Sequence, residues 1–246
     1  VDLSPLLASD AGWSLTLYPG AGEAGGSFRY SLTKPHTPGG GGDPERSRSE
    51  AARRAAAKVR RYCADNRLNR LGTLTYAGVG CHDPKQVRRD VGQFFRTLRG
   101  LLGGEPLPYV WVPEWHKTDH GLHVHFALGR FVPRSLIKTA WPHGFVHIKL
   151  LGDLPTGSTS RDEARLAARY LSKYVRKGFD VRRIPGLHRY EVGQGFQPAA
   201  LVLRGRTFVD VLLLAIAHMG PDPAEVWRSS ESLGWEGPPA AWLAWS

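Results

Sequence analysis

The sequence predicts an α+β fold in which a mostly antiparallel sheet is covered on one face by helices. Between residues 50 and 180, segments of helical and strand periodicity follow in the order helix, strand, helix, strand, strand, helix, strand, helix. Two of the strands, 109–116 and 122–128, are joined by the short polar segment 117–121, which reads as a hairpin and fixes them as antiparallel. An apolar content of 41%, with eight Trp, eight Tyr and nine Phe in 246 residues, is enough to fill a core and excludes a disordered chain.

Taken in order, residues 13–18 and 27–32 are apolar-rich stretches around a Pro/Gly-rich turn, read as an N-terminal hairpin within 1–33. Residues 34–50 (KPHTPGGGGDPERSRSE) hold too little apolar surface to offset the entropy of ordering and read as a flexible linker. Residues 51–62 form an Ala/Arg-rich helix, and 71–77 (LGTLTYA) a strand. Asp83 and Pro84 supply an N-cap and a first helical residue, and Val87, Val91, Phe94, Phe95, Leu98, Leu101 and Leu102 line one face of the helix that runs to Gly103 and Gly104. A short helix (133–140), a strand (145–150) and a long helix (162–177) complete a domain over 51–180. The remaining 181–246, with Trp227, Trp235, Trp242 and Trp245, carries no motif; it reads as a C-terminal extension forming an extra helical layer or a DNA or partner surface.

The formal charge of +11 points to a polyanionic partner, either nucleic acid or an anionic surface. No apolar run approaches the roughly 18–20 residues a membrane span needs, and 1–19 lacks the pattern of a secretory signal, so the expectation is a cytoplasmic protein without a membrane partner. Cys63 and Cys81 are too few and too far apart for a CxxC zinc site or a disulfide framework. The four glycines at 39–42 are followed by no Gly-Lys-Ser/Thr, which disfavours a phosphate loop of the Walker type.

Chemistry concentrates in two places. In GLHVHFAL (121–128), His123 and His125 share one strand face while Leu122, Val124, Phe126 and Leu128 share the other. On the partner strand Glu114 and His116 share a face. A hairpin symmetric about Thr118 and Asp119 places Glu114 opposite His123, about 5 Å away. Two imidazoles and a carboxylate on one patch suit a divalent cation with open positions for substrate, against the plainer reading of a solvated polar face. His116 and His120 are alternative further ligands, and His143 with His147 a weaker rival pair.

The second place is the helix 161–178, where Ala164, Ala167, Ala168, Leu171 and Val175 form the buried stripe and Tyr170, Lys173, Tyr174 and Lys177 a second stripe beside it. Lysines covering the edge of a core helix are ordinary, but the duplicated Tyr-x-x-Lys is a candidate nucleophile arrangement. A phenol with an ordinary pKa near 10 attacks phosphorus only with positive charge nearby or a polarised target.

With these residues in place the chain resembles the HUH endonuclease superfamily, and within it the rolling-circle replication initiators of bacterial plasmids and small single-stranded DNA phages. LGTLTYAG (71–78) resembles the family's first motif, EWHKTDHGLHVHFAL (114–128) its metal motif and YLSKYVRK (170–177) its tyrosine motif, with order and spacing preserved. The order distinguishes it from relaxases, and the two tyrosines distinguish it from the usually shorter insertion-sequence transposases. The Arg- and Ala-rich style is most similar to initiators of actinobacterial plasmids. The resemblance implies a five-stranded antiparallel sheet of the RNA-recognition-motif type and Mn²⁺ or Mg²⁺ held by His123, His125 and Glu114. It further implies Tyr170 or Tyr174 as nucleophile assisted by Lys173 and Lys177, with Thr73, Thr75, Arg169 and Arg176 near DNA. The turn between Glu114 and His123 is one residue longer than in plant-virus initiators. No helicase signature is present, so strand separation would fall to a host helicase.

The function expected from the sequence is therefore metal-dependent nicking and rejoining of single-stranded DNA at a replication origin, through a 5′-phosphotyrosine. Its rivals are a non-catalytic binding module on the same sheet and a phosphohydrolase that uses water. Charge supports a nucleic-acid partner independently: residues 45–99 carry 14 basic and 5 acidic side chains, and 165–189 carry 8 and 1. If about five phosphates are neutralised, the logarithm of single-stranded DNA affinity should fall against log salt with a slope of about −3.5, measured by fluorescence anisotropy. A flat response would contradict a nucleic-acid partner.

Overall fold

Asp83 and Pro84 show how locally the elements are specified: the Asp83 carboxylate accepts the Lys85 backbone N–H at 2.8 Å and Pro84 opens the helix, as the sequence predicts. The computed structural model describes residues 11–30, 43–149, 151, 156–180 and 184–246. In chain order these form β1 (Gly12–Tyr18), β2 (Glu23–Arg29), α1 (Pro44–Asp65), β3 (Arg70–Tyr76), α2 (Pro84–Leu101), β4 (Tyr109–Trp115) and β5 (Leu122–Leu128). Then come α3 (Arg134–Ala140), β6 (Gly144–Lys149), α4 (Ser160–Asp180), β7 (Glu191–Val192), β8 (Leu201–Gly205), α5 (Phe208–Met219), β9 (Glu225–Arg228) and β10 (Ala240–Ala244). The architecture is α+β, with two antiparallel five-stranded sheets.

The chain divides into two compact units, 43–197 and 1–42 with 198–246. In the first, the strand order is β6-β3-β5-β4-β7. Pairing of β4 with β5 follows the register expected from a symmetric hairpin, Glu114 opposite His123 and Val112 opposite His125. One face of this sheet carries Leu74, Tyr76, Trp111, Val124 and Phe126 against Val91, Phe94, Phe95 and Leu98 of α2 and Ile137 and Trp141 of α3 and its end. The opposite face carries Leu71, Val110, Val112 and Ala127 against Val59, Tyr62 and Cys63 of α1 and Ala167, Ala168, Leu171 and Val175 of α4. Helices thus cover both faces, not the one expected. The apolar alternation of β4 explains why: Val110 and Val112 point one way and Trp111 the other, and both sides need burial.

Three further differences concern boundaries. The expected linker 34–50 ends early, because α1 starts at Pro44 with Asp43 accepting the Glu45 N–H at 2.9 Å. This is the same Asp-Pro start as in α2, and the remainder of that linker lies outside the described residues up to 42. The unit also runs past 180, since Trp111 and Val110 pair with Glu191 and Val192 to give the sheet its fifth strand. Finally, the C-terminal extension is mainly strands and not a helical layer. β8 pairs with β1, β10 pairs with β2, and the N-terminal hairpin becomes the centre of the second sheet, order β8-β1-β2-β10-β9, with α5 packed by Val211 and Ala215 on Leu15, Leu17, Leu203 and Leu243. Within that hairpin the return strand begins at Glu23, four residues ahead of the expected 27, because the turn closes tightly with the Gly22 N–H on Pro19 O at 3.0 Å.

In the first unit, Gly72 on β3 lies opposite Phe126, and a Cβ at residue 72 would run into the Phe126 ring. Replacing Gly72 with Val should therefore cost about 1–3 kcal/mol of stability by overpacking. A lowered thermal midpoint in circular dichroism would check this, and an unchanged midpoint would contradict it.

Candidate active site on the β4–β5 hairpin and α4

β5 alternates Leu122, Val124, Phe126 into the α2 side and His123, His125, Ala127 toward α4, so the side on which the imidazoles lie is fixed by the apolar residues between them. β4 brings Glu114 onto the same face. α4 is seated by its Ala/Leu/Val stripe on this face, and its start is closed by reciprocal bonds between Thr159 and Asp162: the Asp162 carboxylate accepts the Thr159 N–H at 2.9 Å and hydroxyl at 2.7 Å. The neighbouring stripe of α4 then lies over His125.

The contacts there form one connected network. Tyr174 stacks on His125 with ring centroids 3.7 Å apart and planes 16° from parallel. Its hydroxyl donates to the Tyr170 hydroxyl oxygen at 2.8 Å. His125 Nε2 lies 2.9 Å from Glu114 Oε2, and Lys177 Nζ donates to Glu114 Oε1 at 2.9 Å. With Nε2–H given to the carboxylate, the neutral imidazole accepts the Thr73 hydroxyl at Nδ1, 3.0 Å away. Thr73 thus fixes the ring orientation of His125. Burial acts to raise the Glu114 pKa, but the bonds from His125 and Lys177 outweigh it and hold the carboxyl below its ordinary value. Tyr174 is pushed the other way, above the ordinary phenol, by burial, by its bond to Tyr170 and by the Glu114 charge.

His123 sits at the edge of this network. Its ring stacks on His116 at 4.3 Å and meets His120 edge-on at 6.1 Å. His120 is itself held, its Nε2–H donating to Tyr76 O at 2.9 Å. Burial first, and then the neighbouring imidazoles, lower the His123 pKa to about 4, so the ring is neutral at pH 7. Its Nε2 is buried and has no hydrogen-bond partner. A neutral imidazole with an unmatched nitrogen is a ligand in waiting, and with His125 and Glu114 the donor chemistry fits a divalent ion. Glu114 and His125, however, direct facing atoms at each other, and among the described residues no three ligating side chains form a ready coordination set.

The remaining sequence-level candidates are distributed as follows. Lys177 reaches the network, whereas Lys173, Arg169 and Arg176 are exposed on α4. Thr75 is half-buried on β3, two residues beyond Thr73. His143 is drawn away to Trp141 and Asp90, with its ring 4.9 Å from the former and its Nε2 3.9 Å from the latter's carboxylate, and His147 is exposed on β6. One residue of the site is absent from the sequence motifs: Lys149 of β6 holds its ammonium 4.8 Å from the centre of the Tyr170 ring. Only strand alternation along β6 signals it in the sequence.

A His-x-His strand with a carboxylate across from it, overlaid by a helix presenting paired tyrosines, defines the class as that of the HUH superfamily. Residues 69–179, from β3 through α4, match the family model of the replication-associated protein ORF2. The chain carries a domain of that family, which supports a rolling-circle replication initiator. No curated protein and no solved structure matches the chain. No helix among the described residues is long and apolar enough to cross a membrane.

The Glu114–Lys177 contact carries a pH signature. A carboxyl held below its unfolded value contributes stability above about pH 4.3, and this is lost as pH falls through the folded value. Lys177→Met should therefore lower the thermal midpoint at pH 7 relative to the parent, with the gap closing by about pH 3, and should raise the Glu114 titration seen by carboxyl-carbon NMR. An equal gap at both pH values would show that the contact does not depend on the Glu114 charge.

Proposed function

We propose that the protein nicks one DNA strand at a replication origin and later rejoins it through a 5′-phosphotyrosine intermediate. The observation that carries this reading is the convergence of both α4 tyrosines on His125, with Tyr174 stacked on the ring and bonded to Tyr170. A pure binding module has no need of two bonded hydroxyls beside a histidine and carboxylate.

In the proposed step the Tyr174 oxygen attacks phosphorus and forms a new O–P bond, the P–O3′ bond breaks, and the departing 3′ oxygen takes up a proton. The phosphotyrosine conserves the diester, so a 3′ hydroxyl can reverse the reaction. Tyr174 is the better placed for first attack because stacking on His125 holds its ring, and positional restraint lowers the entropy of reaching the phosphate. Tyr170, one turn earlier, then serves the second transfer. Lys177 lies 5.3 Å from the centre of the Tyr174 ring while also bonding Glu114, so its charge favours the phenolate that burial disfavours. His123, His125 and Glu114 would hold Mn²⁺ or Mg²⁺ once the Glu114 carboxylate turns from His125 Nε2. When bound, such an ion supplies Lewis-acid polarisation of a phosphate oxygen. Thr75, Arg169 and Arg176 contribute phosphate contacts, Lys173 stays on the solvent side, and a host helicase opens the duplex.

The test is incubation with single-stranded origin-like DNA and Mn²⁺ followed by denaturing gel electrophoresis. The parent should give a covalent band shift, Tyr174→Phe should lose the first-cleavage adduct, and His123→Ala or His125→Ala should lose cleavage while retaining most DNA affinity. An adduct that persists in the double variant Tyr170→Phe/Tyr174→Phe would refute tyrosine chemistry on α4, and loss in Tyr170→Phe alone would exchange the two roles.

A further inference from the structure

The face that carries the tyrosine site does not end at β5. β3 pairs with β5 so that Thr73 faces His125, and with β6 so that Thr73 faces His147 and Thr75 faces Phe145. Val146 of β6 is buried in the α2 side of the sheet and Ile148 packs against that core, so Phe145, His147 and Lys149 point to the other side, that of His125. The Lys149 contact with Tyr170 of α4 places this row on the same side independently.

Two cross-strand rows result. One runs Val112, His125, Thr73, His147. The other starts Glu114, His123 and, with the β3–β5 register continued one residue past Leu74 and Val124, passes Thr75 to reach Phe145. Phe145 therefore stands two strands from His123, or about 10 Å at the usual strand spacing. α1 and α4 supply the core over Leu71, Val110, Val112 and Ala127, whereas Phe145 is 68% exposed and His147 and Lys149 are exposed as well. A large aromatic ring in the open, on a sheet face beside a cation and a histidine, is not explained by packing.

We infer that Phe145 is a stacking platform for an unpaired base of the DNA strand, adjacent to the scissile phosphate, with Lys149 beside it for the backbone. Every base has a π-face, so the ring accepts single-stranded DNA without reading its sequence. Duplex DNA keeps its bases stacked on each other and cannot use the ring. The fit to a polyanion comes from charge and continuity: Lys149 and Lys177 lie along the same face, and the row of Phe145 continues that of Glu114 and His123. The inference rests on the single-strand reading given under Proposed function.

The experiment uses the full chain carrying Tyr170→Phe and Tyr174→Phe, so that binding is read without cleavage, and a fluorescent single-stranded oligonucleotide. Adding Phe145→Ala should weaken binding by about tenfold or more, with the slope of log affinity against log salt unchanged, because a stacking contact and no ion pair has been removed. Phe145→Trp should restore affinity. Duplex binding should not change in either variant. Because Phe145 lies in the open, Phe145→Ala should melt as its parent does. Affinity for the single strand unchanged by Phe145→Ala, or a loss that Phe145→Trp fails to restore, overturns the platform while leaving the nicking reading intact. If the parent forms no single-strand complex and no covalent adduct, both readings fall together.

Discussion

The register of β4 against β5 is the constraint on which the rest of the site depends. Side chains alternate along a strand, so a slip of one residue would send His123 and His125 into the α2 core and bring Val124 and Phe126 beneath α4. The pairing is held from both sides of the sheet. Trp111 and Phe126 meet opposite each other in one core, Val110 and Ala127 in the other. The turn is anchored as well: His116 N–H donates to Gly121 O at 2.9 Å, and Leu122 N–H to Cys81 O at 2.8 Å. Gly121 has φ of 76°, and a Cβ there would collide with the Cys81 backbone, so the residue that begins β5 can only be glycine.

Within that frame, the polar residues are arranged for chemistry at a cost in stability. An unpartnered buried nitrogen such as His123 Nε2 forfeits about 1–3 kcal/mol relative to one that is bonded. The Glu114–Lys177 pair recovers little of this, since the Lys177 side chain is 53% exposed and surface pairs are screened. Its role is positional: it turns the Glu114 carboxylate so that one oxygen faces Lys177 and the other His125. His125 is in turn fixed at both nitrogens, by Glu114 and Thr73, and offers its ring face to Tyr174.

What could be read from the sequence follows from the range over which each feature is encoded. The β4–β5 register, the Asp83–Pro84 helix start and the stripes of α4 are set by neighbours a few residues apart, and all three are legible in period and spacing. The two-sided burial is also encoded, in the unbroken apolar run Tyr109 to Val112, and the Asp43–Pro44 start repeats the signal found at Asp83. Other features are not local. β2, with glycines at 25 and 26 and a buried Glu23, does not resemble a core strand by composition. It becomes one because Ala240–Ala244, more than 200 residues away, pairs with it. Lys149 likewise serves Tyr170 through the packing of β6 and α4, whereas helical spacing pointed to Lys173. On the helical wheel Lys173 stands about 160° from Leu171, on the side turned away from the core.

The bond between the two tyrosines bears on how the proposed chemistry is ordered. Tyr174 donates to Tyr170 at rest, so loss of the Tyr174 proton removes that donor but leaves the Tyr170 hydroxyl free to rotate and donate back to the new phenolate. The pair therefore supports one phenolate well. A second phenolate about one hydrogen-bond length away would have no donor and would face a like charge, the situation that separates the titrations of coupled carboxylates. Each tyrosine has its own cation, Lys177 at Tyr174 and Lys149 at Tyr170, yet they share a single proton-donating contact. Two attacks in succession are compatible with that arrangement and two at once are not. Once Tyr174 carries the phosphoester, its oxygen no longer has a proton to give, and Tyr170 is released from accepting it, which frees the second hydroxyl for the return transfer.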